Sequence, residues 1–103
     1  MATVKDNLIA AKALIDAQEK WVKHHFWFDG CMCALGALGR ALDMDPSDDM
    51  GPNEVALGTA LPAGFQSNTN LSLGTKVANF NDHPDTTHAD IMALFDRAIE
   101  AQP

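Results

Sequence analysis

The clearest hydrophobic pattern of the chain lies near its carboxyl end. Apolar residues recur there at the i, i+3, i+4, i+7, i+8 spacing of one buried helix face. They are Ile91, Leu94, Phe95, Ala98 and Ile99. Thr87 precedes this pattern, and Asp90 lies three residues after Thr87, which is the spacing of a capping box. The sequence therefore predicts an amphipathic helix that begins after Thr87 and ends at about Ala101.

A similar pattern opens the chain. Thr3 and Asp6 again have capping-box spacing, and they predict a helix that runs from Thr3 to about Val22. The expected apolar stripe consists of Val4, Leu8, Ala11 and Ile15, with Ile9 and Leu14 beside it.

Residues 31–42 have a different pattern, because Arg40 is the only charged residue among them. A helix that is apolar on nearly all sides is normally buried, so we expect a central helix here. Gly36 and Gly39 would each weaken that helix by about 1 kcal/mol relative to alanine. Because glycine has no Cβ, we expect the backbone of a neighbouring helix to approach both positions closely.

Two shorter helices are predicted between these segments. Asn53 would cap a helix over 54–61, and Thr75 would cap one over 76–80. A polar loop is expected over 64–74, and a turn over 81–84, where Asn, Asp and Pro come together. Strand-like alternation is not apparent. The pattern as a whole predicts a single all-α domain over 1–103, a compact bundle of four or five helices around the helix at about 31–42.

Consecutive aromatic residues occupy the predicted connector over 23–30. They are Phe26, Trp27 and Phe28, with Trp21 shortly before them. We expect most of these rings to be buried, because a domain of 103 residues needs their volume in its core. If one face of the group is exposed, it becomes a binding patch for a partner.

Two patches of the sequence carry a resemblance to a known family. They are Cys33-Ala34-Leu35-Gly36-Ala37-Leu38 and Phe80-Asn81-Asp82-His83-Pro84 with Thr87. Over roughly residues 20–100 the chain resembles an uncharacterised family of small proteins encoded by bacteria and their phages. Members more often have Trp at the position of Phe80. The resemblance implies an all-α fold and no known activity.

Composition narrows the classes of partner. The net charge is −7, and several of the acidic residues share one loop, at Asp43, Asp45, Asp48 and Asp49. Such a surface repels DNA, RNA and anionic membranes, so the expected partner is a neutral or basic protein. A homo-oligomer is a further arrangement that the sequence leaves open.

The expected compartment is the cytoplasm. The first residues lack the basic start and apolar run of a signal peptide, and no stretch approaches the roughly 20 apolar residues of a membrane span. Cys31 and Cys33 are separated by a single residue, a spacing that strains a disulfide, so we expect reduced thiols.

One candidate for catalysis is a thiol hydrolase. Cys33 lies near the start of a predicted helix, where the helix dipole lowers a thiol pKa. His24, His25, His83 or His88 could serve as the base, and Asn81 or Asp82 as the orienting group. The competing interpretation is that Cys33 is a small core residue on an apolar helix, and it is the stronger of the two.

The sequence also contains the side-chain types of two metal sites. Cys31, Cys33, His83 and His88 have the side-chain types of a zinc site, although Cys-x-Cys is tighter than the usual spacing. A calcium loop would use Asp43, Asp45, Ser47, Asp49 and Glu54, which match positions 1, 3, 5, 7 and 12 of an EF-hand. The glycine required at position 6 is replaced by Asp48. No cofactor or metal is therefore predicted.

Asn81 and Asp82 have two interpretations. Their side chains either satisfy backbone groups between two helices or bind a ligand, and the first is favoured. The leading function is a small acidic, non-enzymatic interaction or regulatory protein that acts by protein–protein binding, of phage or prophage origin on the resemblance alone. Its binding residues would be Trp21, Phe26, Trp27, Phe28, Asn81 and Asp82. A thiol hydrolase and a divalent-metal module are the alternatives.

Overall fold

A computed structural model describes residues 2–67 and 70–103. Its described part contains the α-helices α1 (Val4–Leu14), α2 (Ala34–Leu42), α3 (Pro52–Thr59), α4 (Leu73–Asp82) and α5 (His88–Glu100). Single 3₁₀ turns lie at Gln18–Lys20 and Ala63–Phe65. Two short antiparallel strands, β1 (Trp27–Phe28) and β2 (Cys31–Met32), form a hairpin, with Trp27 opposite Met32 and Phe28 opposite Cys31. The predicted all-α bundle is confirmed.

The helices surround one apolar core. α1 packs against α2, α3 and α5, and α4 packs against α2 and α3. Every residue of α2 from Ala34 to Gly39 is buried, as expected for the apolar helix of the bundle. The largest fully buried apolar side chains are Phe95, Leu8, Ile15, Leu38, Leu57, Ile91, Leu94 and Val77. None of the helices described here combines the length and apolar character that a membrane crossing requires.

Both predicted capping boxes are present. The Thr3 side chain accepts a hydrogen bond from the Asp6 amide while the Asp6 side chain accepts one from the Thr3 amide, and Thr87 and Asp90 do the same at the start of α5. These reciprocal bonds satisfy backbone donors that have no intrahelical partner. The last helix therefore begins where the sequence predicts.

The predicted length of α1 was wrong. The helix ends at Leu14 and not near Val22. The chain beyond the 3₁₀ turn instead runs beside the hairpin, because the Val22 amide donates to the Met32 carbonyl over 3.1 Å. Ile9, which was expected beside the buried stripe, is 48% exposed.

The start of the apolar helix was also misplaced, since α2 begins at Ala34 and not at residue 31. Cys31 and Met32 instead form strand β2, where they pair with Phe28 and Trp27 of β1. Cys33 is the N-cap, and its Sγ accepts a hydrogen bond from the Gly36 amide over 3.3 Å. A thiol thus replaces the usual hydroxyl or carboxylate at this helix end.

The two middle helices use other caps than those predicted. Gly51 stands at the N-cap of α3 with Pro52 in the first turn, a position that proline favours. The Asn53 side chain bonds to Asn7 and to the Met50 carbonyl instead. At α4, the Ser72 side chain accepts from the Thr75 amide, so this helix starts earlier than expected.

α4 also ends later than expected, at Asp82. Asn81 and Asp82 therefore belong to the last turn of a helix and not to a turn between helices. The turn lies just beyond them, where the Thr86 amide donates to the His83 carbonyl over 3.0 Å.

The loop predicted over 64–74 lies partly outside the described residues, which omit 68 and 69. Its described ends contain more helical structure than predicted. The 3₁₀ turn includes Phe65, whose ring packs edge-on against Phe80 at 4.9 Å, and α4 already begins at Leu73.

Backbone from other segments approaches both glycines of α2 closely, as expected. These segments are loops, however, and not the neighbouring helix that was predicted. A Cβ on Gly36 would lie 2.0 Å from the Phe26 carbonyl oxygen. A Cβ on Gly39 would lie 2.9 Å from the Met44 carbonyl oxygen. Glycine at position 36 thus allows the backbone of the aromatic segment to lie directly on α2.

Candidate functional site

The segment from Trp21 to Cys33, here named the connector, carries exposed aromatic side chains. Phe26 is 38% exposed, Trp27 is 50% exposed and Phe28 is 56% exposed. The expectation that most of these rings are buried was therefore wrong. Trp21 alone is partly buried against the core. The physical reason is that the backbone of Phe26, and not its ring, packs on Gly36.

Consecutive residues of the connector expose their rings, and we name the side chains of His25, Phe26, Trp27 and Phe28 together the aromatic surface. The His25 and Phe28 rings stack with their centroids 4.7 Å apart and an angle of 21° between their planes. The Trp27 indole N–H donates to the Gly36 carbonyl over 3.1 Å. These contacts orient the rings of Trp27 and Phe28, although water reaches both.

Asn81 holds the connector to the bundle. Its side chain is fully buried. The amide oxygen accepts from the Trp21 indole N–H over 2.7 Å and from the Ala34 backbone N–H over 3.1 Å. The amide nitrogen donates to the Val22 carbonyl over 3.1 Å and to Asp82 Oδ1 over 3.0 Å. A primary amide offers two donors and two acceptor sites, so this side chain has no capacity left for a ligand.

The structural interpretation of Asn81 is thus the one the geometry favours, with a correction to its partners. The sequence suggested backbone groups between the last two helices. The partners are instead the connector and the first amide of α2, which has no intrahelical acceptor.

Asp82 and its neighbours fasten the same segment. Asp82 Oδ1 accepts from the His24 amide over 2.7 Å, and the His24 ring nitrogen Nδ1 lies 3.9 Å from Asp82 Oδ2. His24 has a left-handed backbone, with φ at 70°, a conformation that only a surrounding contact makes favourable for a non-glycine residue. The Lys23 ammonium donates to the His83 carbonyl over 2.6 Å. The start of the connector is therefore attached to the end of α4 at successive residues.

The environment of Cys33 is opposite to that of a nucleophilic thiol. Cys33 is 4% exposed. Burial raises the pKa of its thiol and the nearby Asp82 carboxylate adds to the rise, against a lowering by the Gly36 and Leu35 amides. Nucleophilic cysteines have a lowered pKa, so this thiol stays protonated at neutral pH.

The other residues proposed for thiol chemistry are not assembled as expected. His83 lies in a different cleft from Cys33, with its ring edge-on to Phe65 at 5.5 Å. The cleft beside Cys33, of about 200 Å³, is lined instead by His24, His25 and Asp82. His24 and His25 were both among the candidate bases, but the sequence could not single them out, because their place beside Cys33 depends on long-range contacts such as that of His24 with Asp82.

The zinc ligands considered from the sequence have other partners. The Cys31 thiol donates to the Glu19 carbonyl over 3.1 Å. The His88 ring nitrogen Nε2 lies 2.7 Å from the Ile15 carbonyl oxygen, which requires a proton on that nitrogen. Over residues 2–67 and 70–103, no three His, Cys, Asp or Glu side chains are grouped so as to hold a metal ion.

The predicted calcium loop is folded by its own side chains. Asp45 Oδ1 accepts from the Ser47 amide over 2.9 Å and from the Ser47 hydroxyl over 2.7 Å, and these bonds lower the pKa of Asp45. Asp49 Oδ1 accepts from the Gly51 amide over 2.8 Å. Asp43 has a left-handed backbone at the end of α2. The bonds of Asp45 and Asp49 stabilise local turns, and in the described part of the chain no three such side chains are grouped so as to hold a metal ion.

Part of this loop borders a groove beside the connector. The groove has a volume of about 570 Å³, and we name it the acidic groove. Its apolar wall is formed by Phe26, Leu35 and Ala78, and its acidic wall by Asp48, Asp49 and Glu54. The sequence showed the acidic residues but not the groove, because its walls come from segments far apart in the chain.

Glu54 is the half-buried carboxylate of this groove. Burial raises the pKa of Glu54 and the charge of Asp49 adds to the rise, while the Met50 and Gly74 amides lower it. The ion pairs in the described part of the chain are Lys12 with Asp96, Lys20 with Asp16, and His24 with Asp82. The groove carboxylates therefore have no cationic partner there.

Comparison with known proteins gives a family and no activity. No curated protein and no solved structure matches the chain. The model of a family of unknown function, DUF6197, matches residues 1–101. The match includes both patches that carry the sequence resemblance and extends to α1. The chain therefore belongs to this family of unknown function.

Proposed function

We propose that this protein is a non-enzymatic interaction protein that binds a protein partner through its aromatic surface. The observation that supports this proposal is the exposure of Phe26, Trp27 and Phe28 on a connector that buried hydrogen bonds hold in place. Contiguous exposed aromatic area is typical of interaction sites, and tryptophan is enriched among residues that dominate binding energy.

The fixed geometry of the connector supports the same proposal. A flexible segment would lose conformational freedom on binding, which costs about 0.5–1.5 kcal/mol for each immobilised side chain. Trp27 is already held by its bond to Gly36, and Phe28 by its stacking on His25. These rings are arranged for contact before a partner arrives.

The alternatives have weaker support. A thiol hydrolase needs a thiolate, whereas burial raises the pKa of Cys33. A divalent-metal module needs converging ligands, whereas Asp45 and Asp49 are engaged in turns within their own loop.

The net charge narrows the class of partner that this protein would bind. With a net charge of −7, the protein favours a neutral or basic protein over nucleic acid or an anionic membrane.

We propose a cytoplasmic location. Bacterial, phage or prophage origin is proposed from the sequence resemblance alone.

Site-specific photo-crosslinking in the native host tests this function. A photoreactive amino acid replaces Phe28, and the matched control replaces Ile9, which is 48% exposed on α1. We expect position 28 to give a discrete protein adduct that position 9 does not give. With the purified partner, Phe28→Ser should weaken binding by about tenfold or more, as for a central aromatic contact.

Equal adducts at both positions, or unchanged binding by the Phe28→Ser variant, would contradict the proposal. Sedimentation equilibrium of the purified protein examines a second copy as the partner. Self-association that Phe28→Ser abolishes would identify a homo-oligomer.

A further inference from the structure

We infer that the acidic groove binds an arginine or lysine side chain of the partner protein, immediately beside the apolar contact made by the aromatic surface. This inference rests on the proposed function and adds the chemistry of the partner to it. The partner segment would carry a basic residue next to an apolar one.

The shape of the groove suits a long cationic side chain. Its volume of about 570 Å³ lies within the roughly 300–1,000 Å³ typical of sites that enclose a bound group. Leu35 and Ala78 give an apolar wall for the methylene stem of such a side chain, and Asp48 and Glu54 give carboxylates for its charged end. Arginine and lysine combine these two properties.

Charge complementarity favours the same occupant. The carboxylates of the groove have no cationic partner in the described part of the chain, whose ion pairs all lie elsewhere. Burial and the charge of Asp49 disfavour the ionised form of Glu54, and an incoming cation would stabilise that form.

Phe26 joins the groove to the aromatic surface. Its ring lines the groove and is also 38% exposed. A cation that enters the groove would therefore lie near an aromatic face, a contact that is attractive in itself. This continuity favours a peptide with adjacent basic and apolar residues over a free polyamine, which has no apolar side chain to cover Trp27 and Phe28.

Short synthetic peptides of alternating arginine and leucine test the inference. Binding to isotope-labelled protein is followed by NMR, through the amides of Ser72 and Thr75 at the groove and of Phe28 on the aromatic surface. We expect the amide signals of both regions to shift when the arginine peptide is added. A peptide with glutamate in place of arginine should bind far more weakly. Added salt should weaken binding of the arginine peptide, because salt screens the attraction between exposed charges.

Groove variants identify the site. Glu54→Gln and Asp48→Asn should each weaken binding of the arginine peptide by about two- to fivefold, as expected for loss of one partly exposed charge pair. Glu100→Gln removes the same charge from α5, away from the groove, and should bind like the parent. Thermal melts of each variant verify that it is folded.

The possible outcomes separate the two proposals. If both groove variants bind like the parent while Phe28→Ser loses binding, the groove inference is overturned and the aromatic docking surface stands. If the groove variants lose binding and Phe28→Ser does not, the proposed function is overturned. No binding of the arginine peptide, or equally strong binding of spermidine at the groove, would also overturn the assignment to a protein side chain.

Discussion

Trp21 and Asn81 lie 60 positions apart, and the indole N–H of Trp21 donates to the Asn81 amide oxygen over 2.7 Å. The same oxygen accepts from the first amide of α2. One buried side chain therefore joins the connector, α2 and α4. The position of the aromatic surface depends on this junction, which links a stabilising contact to the proposed function.

Asn81→Ala should lower the free energy of unfolding by about 3 kcal/mol. The substitution leaves the Trp21 indole, the Ala34 amide and the Val22 carbonyl without their partner, and each buried unpaired group costs about 1–3 kcal/mol before the structure relaxes. Chemical denaturation of the variant and the parent measures the difference.

Trp21→Phe is the matched variant, because it removes the indole N–H and keeps an aromatic ring. The free energy of unfolding should fall less than in Asn81→Ala, by about 1 kcal/mol, since the Asn81 oxygen still accepts from the Ala34 amide. If Asn81→Ala melts like the parent and yet loses partner binding, Asn81 is a binding residue and the structural interpretation fails.

Gly36→Ala should destabilise the fold by about 3 kcal/mol, although alanine favours helix by about 1 kcal/mol. The new Cβ would lie 2.0 Å from the Phe26 carbonyl oxygen, so the connector would have to move away. That movement breaks the bond from the Cys33 amide to the Phe26 carbonyl, now 3.1 Å long. Thermal and chemical denaturation measure the loss.

Gly64→Ala is the control for this prediction. An added Cβ there meets nothing within 4 Å, so we expect a change within about 0.5 kcal/mol. Equal stabilities of the Gly36→Ala and Gly64→Ala variants would show that the connector does not pack closely on α2.

The helices were predictable where their signals are local. Thr87 and Asp90 lie three positions apart, and their reciprocal bonds require nothing from the rest of the chain. The buried face of α5 follows from spacing alone, as Ile91, Leu94 and Phe95 are all fully buried. The sequence predicted four or five helices, and the described residues contain five.

The connector could not be predicted in the same way. Its course is determined by contacts over long sequence separations, such as His24 with Asp82 and Trp21 with Asn81. From the sequence, most of the bulky rings were expected to be buried. Because residue 36 is glycine, the backbone of Phe26 packs against α2 there, and the Phe26 ring does not. The sequence therefore drew attention to this segment but gave the wrong expectation for the exposure of its rings.

Cys33 should react slowly with a thiol reagent at neutral pH. The thiol is buried, and burial raises its pKa, so reaction requires local opening of the connector. An opening that costs about 3 kcal/mol would slow labelling roughly a hundredfold relative to the unfolded chain. The Cys31→Ser variant isolates Cys33 for the measurement.

The Cys33→Ser variant isolates Cys31 as the comparison. Cys31 is only partly buried, so its labelling should be the faster of the two. Rapid labelling of Cys33 with a low apparent pKa would instead support thiol chemistry at the cleft lined by His24 and Asp82.

Glu54→Gln should raise the melting temperature at neutral pH. The folded-state pKa of Glu54 is raised above its ordinary value of 4.5, by burial first and by Asp49 second. The folded protein therefore binds this proton more tightly than the unfolded chain does, and the resulting stability is fully present below about pH 4.5 and is lost as the pH rises through the folded pKa. Glutamine cannot ionise, so it avoids that loss.

The advantage of Glu54→Gln should thus be present at neutral pH and shrink as the pH falls toward 4.5. We expect a difference below about 1 kcal/mol, because water screens a half-exposed carboxylate. Glu100→Gln, which removes the same charge outside the groove, is the control. Melts of the three proteins across this pH range measure the effect. Lower stability of Glu54→Gln at neutral pH would mean that the ionised Glu54 already has a net favourable partner, and the argument that the groove needs an incoming cation would fail.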